Sequence, residues 1–205
     1  MIKILSPTGY EFSIQSLLLK EEKMKKMRTV LFLLLLFSSL HLTLSLQQGN
    51  AEEEISVKEV TSFTYVCLPH KGSFADMPEV IGRMWQHTRQ QNIFPSMGAM
   101  IGVYYSTPDL VAVEELEWEI GFPITPQTLV QAPLEKKQWI FTSVISIIHT
   151  GPYETVGETY TKIKEWMETN NYLHSGPILE RYLSDPSQVR PEAQRTEIWV
   201  PFKEE

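Results

Sequence analysis

Cysteine is almost absent from this sequence: Cys67 is the single thiol in 205 residues. No disulfide can close within the chain, so a packed core must hold it together. Cys67 lies in the apolar run Phe63-Thr64-Tyr65-Val66-Cys67-Leu68, which predicts a buried, inert strand thiol rather than a nucleophile. Histidine is also scarce. His70, His87, His149 and His174 show no metal-ligand spacing, and no metal site is expected. Ser-His-Asp order, phosphate loops and nucleotide fingerprints are missing too, so no cofactor is expected. Basic charge is short: residues 52–205 carry 12 Lys and Arg against 22 Asp and Glu, a net charge of −10. Such a potential repels nucleic acid and anionic lipid, and no nucleic-acid partner is expected.

The N-terminal quarter has a different composition. Lys25, Lys26 and Arg28 precede an apolar run from Val30 to Leu46, followed by Gly49-Asn50-Ala51. A basic start, an apolar stretch and a small-residue exit form a secretory signal. The run is short against the ~20 residues that span a bilayer. Cleavage is therefore expected, with an uncleaved N-terminal anchor as the alternative and the only membrane link. Either way the chain is read as exported, to a periplasmic or extracellular space. Residues 1–23 precede a second possible start at Met24 and stay outside the fold reading. The domain proper is expected over residues 52–205.

The domain is written twice. His70-Lys71-Gly72-Ser73-Phe74 matches His149-Thr150-Gly151-Pro152-Tyr153 at an offset of 79, as Asn92 matches Asn171. After a one-residue deletion, Pro108, Glu119, Ile120 and Pro123 match Pro186, Glu197, Ile198 and Pro201 at an offset of 78. The copies run over about 55–125 and 138–203. In the first, Ser62–Leu68 reads as a strand. Met77, Val80, Ile81, Met84 and Trp85 then fall on one helical face. Strands follow at about Ala99–Tyr105 and Leu116–Phe122. The second copy has a strand from Trp139 to Ile148, a helix carrying Val156, Tyr160, Ile163 and Met167, and strands at about Ile178–Leu183 and Glu197–Phe202. Each copy is β-α-β-β, with one sheet face covered by its helix and the other open. The prediction is an α+β domain of tandem repeats with pseudo-twofold symmetry, the open faces meeting and a ligand cleft between the halves.

The string from His149 to Tyr160, His-Thr-Gly-Pro-Tyr-Glu-Thr-Val-Gly-Glu-Thr-Tyr, resembles the hallmark of GyrI-like domains, the AraC-type effector-binding family. Trp166, Glu180-Arg181-Tyr182-Leu183-Ser184-Asp185-Pro186, Pro191-Glu192 and Thr196-Glu197-Ile198-Trp199-Val200-Pro201 continue the match. The resemblance covers roughly residues 55–203 and is looser in the first half. It implies a tandem β-α-β-β fold that binds small molecules centrally. Many members are the sensing half of transcription regulators for lipophilic, often cationic, compounds. One group resembles hydrolases of cyclopropane-bearing toxins. The family's buried acid, which meets the ligand's charge, maps to Glu180. Two departures stand out: a signal segment occupies the place of a helix-turn-helix, and the net charge opposes DNA binding.

Alternation places Glu180 and Tyr182 on one strand face and Leu179, Arg181 and Leu183 on the other. At an offset of 79 the first half has Ile101 opposite Glu180, so the acid belongs to one half only. Against this stands a surface or salt-bridged Glu180 paired with Arg181 or Arg195. Tyr182 and Trp199 are expected to line the cleft, Trp199 because Ile198, Val200 and Phe202 should face the helix. Tyr153 and Tyr105 are weaker candidates. His70 and His149 read as turn-holding residues, and Glu117 and Glu119 as solvated acids. The leading expectation is a binding module for an amphipathic ligand, with cations favoured. The alternative is a hydrolase using Glu180 as acid or base.

Overall fold

The computed structural model describes residues 3–5, 11–13, 54–95 and 98–204. They fall into two compact units, Met1–Glu52 and Glu53–Glu205. In the first, β1 (Lys3–Leu5) pairs antiparallel with β2 (Glu11–Ser13). The signal-like segment from Lys25 to Ala51 lies outside the described residues. Among those described, no helix is long and apolar enough to cross a membrane.

The second unit is mixed α+β. Its elements are β3 (Ser56–Glu59), β4 (Phe63–Lys71), α1 (Met77–Gln90), β5 (Met100–Tyr104), β6 (Glu117–Pro123), β7 (Glu135–Trp139), β8 (Ser143–Thr150), α2 (Val156–Thr169), β9 (Tyr172–His174), β10 (Ile178–Tyr182) and β11 (Arg195–Glu204). All strands join one antiparallel sheet in the order β3-β8-β11-β10-β5-β6-β4-β7, with the short β9 on the end of β11. The expected strand from Trp139 to Ile148 is instead two, β7 and β8, broken at residues 140–142. β3 and β7 are additions to the sequence reading. Each pairs with the strand that follows the other: β3 with β8, β7 with β4.

Both helices form where the periodicity placed them. Pro78 sits in the first turn of α1, where its missing N–H costs nothing. Val80 and Met84 are buried under β4 and β6, with Met77, Ile81 and Trp85 packed alongside. Ile163 and Met167 of α2 pack on Ile145, Ile147, Ile198 and Val200. The chain leaves both helices through asparagines in the left-handed conformation, Asn92 (φ 54°) and Asn171 (φ 58°), which Asn tolerates better than most residues.

The first and second parts of the chain share one sheet. β5 and β10 are central neighbours, so the sheet is continuous rather than two separate sheets facing each other. The faces turned from the helices nevertheless do meet, because the sheet curls. Phe63 on β4 reaches Trp199 on β11, 6.5 Å between ring centres, and Trp139 reaches Trp199 at 6.4 Å. Tyr65, Cys67, Ile101, Val103, Val144 and Leu179 complete this inner core. Burying so much aromatic and branched surface, at about 25 cal/mol per Å², supplies the stability that disulfides cannot. Burial also pushes the Cys67 thiol far above its usual range, as an inert core cysteine requires.

Candidate functional site: a carboxylate held by tyrosines

Glu180 stands at the centre of the sheet, on the face that carries the helices. Its strand β10 pairs with β11 and with β5, placing Ile198 on one side and Gly102 on the other. Glu180 is only 7% exposed. Tyr160, reaching down from α2, donates to Oε1 at 2.6 Å. Tyr104 and Tyr182 both come within 3.0 Å of Oε2, and their hydroxyls are 2.6 Å from each other. One tyrosine therefore donates to the other, and the acceptor donates to Glu180. Among the described residues, Glu180 forms no ion pair: its recorded partners are tyrosine hydroxyls. A buried carboxylate with no counter-ion is costly unless donors meet it, and two donated hydroxyl protons fill that role, one from Tyr160 and one from the Tyr104–Tyr182 pair.

The three hydroxyls are locked in the protonated form. Burial, with the charge of Glu180 adding to it, holds Tyr104 and Tyr160 well above the usual tyrosine range. Tyr182 is raised by burial, then by Tyr104 and Glu180. Two further rings flank the cage. Phe74 meets Tyr104 edge-on at 5.5 Å, and Tyr153 meets Tyr182 edge-on at 5.8 Å. Tyr153 is 38% exposed, so the cage reaches the surface on its side.

Of the residues singled out from the sequence, Glu180, Tyr182 and Tyr153 come together here. Trp199 and Tyr105 do not. The register pairs Trp199 with Leu179, one residue off Glu180, so its ring lies on the opposite sheet face. It does face away from the helix, as alternation required, but that side is the inner core. Tyr105 lies beyond the end of β5 and donates to Glu119 at 3.0 Å. Arg181 pairs not with Glu180 but with Glu197. The residue opposite Glu180 is Gly102, not Ile101, which pairs with Arg181. Tyr104, Tyr160 and Gly102 escaped the sequence reading. Tyr104 had a signal in the offset of 78, which carries it onto Tyr182.

Two more buried acids occupy the other face. Glu119, expected to be solvated, is 1% exposed. It accepts from Tyr65 at 2.7 Å and is ion-paired with Lys137 of β7 at 2.5 Å. Glu197 meets Lys58 of β3 and Arg181, each at 2.5 Å. Lys58 and Arg181 also lie over the ring of Trp199, 5.7 and 4.9 Å from its centre. Burial pushes the Glu197 carboxyl up, but the hydrogen bond from Lys58 and the charges of Arg181 and Lys58 outweigh it, leaving the group below its usual range. A concavity of about 590 Å³ is lined by Tyr105, Glu117, Glu119, Lys71 and Lys137 among others, but not by Glu180. Glu117 is exposed, as expected. His70 contacts Asp76 at 3.0 Å, and His149 contacts Thr159 at 2.8 Å and the Pro152 carbonyl at 3.1 Å, each tying a strand end to the following turn. Among the described residues, no group of three or more His, Cys, Asp or Glu is placed to hold a metal ion.

Solved structures share this fold. EcmrR in its complex with DNA superposes with a TM-score of 0.65 at 14% identity, over 95% of this chain and 78% of that chain. The EcmrR C-terminal domain gives 0.65 at 16% identity, over 75% and 99%. A hydrolase from Listeria innocua gives 0.54 at 12% identity, over 77% and 95%. At such identities the likeness is one of fold. No curated protein sequence matches. The model of the GyrI-like small molecule binding domain matches residues 53–203, most of the chain and every strand of the large sheet, and the protein belongs to that family.

Proposed function

We propose that this domain captures a lipophilic cation at Glu180, between the two helices. The observation that carries this reading is a buried carboxylate whose recorded partners are all neutral. Hydroxyls solvate its charge but do not cancel it, so a foreign cation that loses its water at the site has an unneutralised charge to meet. The rings of Tyr153, Tyr182, Tyr104 and Phe74 offer π-faces to the same charge. The arrangement also supports a duplicated origin with a pseudo-twofold axis through the β5–β10 seam. Phe74 and Tyr104 of one half correspond to Tyr153 and Tyr182 of the other. The Gly72 N–H donates to the Leu116 carbonyl as Gly151 donates to Gln194, at 2.9 Å in both. On this reading Glu180 against Gly102 is where the copies diverged, and selectivity arose there.

Calorimetric titration with methyltriphenylphosphonium and with neutral triphenylmethanol tests the assignment. Glu180→Gln keeps the shape and removes the charge. It should weaken the cation by ~1.5–3 kcal/mol, roughly 10- to 150-fold, and the neutral compound by less. Trp199→Phe and Tyr105→Phe, on the opposite face, should change cation affinity by less than ~0.5 kcal/mol. Equal cation affinity in wild type and Glu180→Gln would remove Glu180 from the site. Mass spectrometry of the recovered ligand should find it unchanged; conversion would indicate catalysis instead.

The basic, apolar and small-residue pattern of Lys25–Ala51 supports export of the domain. N-terminal sequencing of the exported fraction should find a start near Glu52. Full-length chain confined to the cytosol would overturn export.

A further inference from the structure

We propose that the Tyr104–Tyr182 hydroxyl pair is a built-in plug that occupies the cation site in the free protein and must be displaced by any ligand. This rests on the reading of Glu180 as the ligand's charge partner. The two hydroxyls are 2.6 Å apart and sit against Glu180 Oε2. They occupy the space that the missing side chain of Gly102 leaves beside that acid: a β-carbon placed on Gly102 would fall 2.8 Å from each hydroxyl oxygen, closer than such atoms approach. Tyr104 comes from β5 and Tyr182 from β10, so the plug closes across the seam between the halves. With the plug in place the carboxylate is almost wholly covered. A ligand too large to slip between hydroxyl and carboxylate reaches Glu180 only when these bonds break.

Two consequences follow. The cost of opening is common to every ligand, so it sets a threshold rather than a ratio: ligands without a charge to meet Glu180 fall below it. Removing a hydroxyl while keeping its ring lowers that threshold. Tyrosines that gripped the ligand through their hydroxyls would behave in the opposite way.

The experiment uses methyltriphenylphosphonium and triphenylmethanol with wild type, Tyr104→Phe, Tyr182→Phe and the double variant. Circular dichroism and thermal unfolding check that each is folded. The plug predicts that each single variant binds both probes more tightly, on the order of tenfold, by a similar factor for the two. Stopped-flow association should plateau with ligand concentration in wild type, at the opening rate, and the plateau should rise in the variants. Cation binding that is lost in Glu180→Gln, yet unchanged or weaker in both phenylalanine variants, overturns the plug and leaves the site standing. Binding of neither probe to any of these proteins overturns both.

Discussion

Glu180 and Glu197 are neighbours across one pair of strands, yet they solve the same problem in different ways. Both are buried acids, and their strands hydrogen-bond to each other. Glu197 points to the inner face and meets Lys58 and Arg181. Glu180 points to the helix face and, among the described residues, its partners are tyrosines. An acid that carries its own cations is finished: its charge is cancelled and its place is structural. An acid met by neutral donors has no cation of its own. Glu119, with Lys137, belongs with Glu197. The contrast sets Glu180 apart from the ion-paired acids without reference to sequence motifs.

The most forceful way to break this contrast is Lys137→Met. Glu119 would then keep Tyr65 and Tyr105 and lose its cation, which makes it resemble Glu180. Both of those hydroxyls reach Oε1, whereas Oε2 is met by Lys137, so the substitution strips that oxygen of its cationic donor. Urea unfolding should report a loss of about 3 kcal/mol, the scale for stranding one partner of a buried pair. A loss below ~0.5 kcal/mol would mean that the pair contributes nothing and that the contrast is empty.

Tyr160→Phe probes the other side. It removes the shortest bond to Glu180 while keeping the ring under α2. Stability should fall by about 1.5 kcal/mol, the lower range for hydrogen bonds to charged groups. Added methyltriphenylphosphonium should raise the midpoint of the variant at least as much as that of wild type. A variant as stable as wild type would show that the hydroxyl is not needed to hold the charge.

Acid titration gives the smallest expected effect. The folded Glu197 carboxyl titrates below its ordinary 4.5, so its pairing stabilises the fold fully above that value. The contribution is lost as pH falls through the lower folded value. Stability measured from about pH 5 to pH 3 should therefore decline, and Glu197→Gln should flatten that decline. An unchanged slope would detach Glu197 from the acid sensitivity of the fold.

How much of this was legible in the sequence depends on the physics of each element. The helices were, because Met77 to Trp85 and Val156 to Met167 keep a 3.6-residue period over three turns. So was β10, where a single alternating step separates Glu180 from Arg181. β3 and β7 were not. They are short and largely exposed, and only Trp139 at the end of β7 is buried, too little to set an alternation. Only their lysines reveal them: Lys58 and Lys137 stand 79 apart, the offset of the first-half landmarks. Without β7 in view, Glu119 had no visible partner and read as solvated. Trp199 was turned correctly away from its helix, but which side holds the site depends on pairing register, where a slip of one residue exchanges the faces. The same slip put Ile101 where Gly102 stands. Tyr160 lay hidden in the helix's apolar stripe, since periodicity places a tyrosine on a face without saying that its hydroxyl crosses to a strand.

The exchange of β3 and β7 between halves also sets a timetable. β3 finds its partner about ninety residues further along the chain, where Ser56 meets Ser146. Lys58 waits longer still, for Glu197. Contacts of such long sequence separation form late, because loop closure must come first. A ribosome-bound chain that has made only its first half therefore has β3 unpaired, Glu180 and its cage incomplete, and no seam. The tyrosine partners of Glu180 are all in place only after β10 has emerged, and the sheet closes on both sides of β10 only after β11.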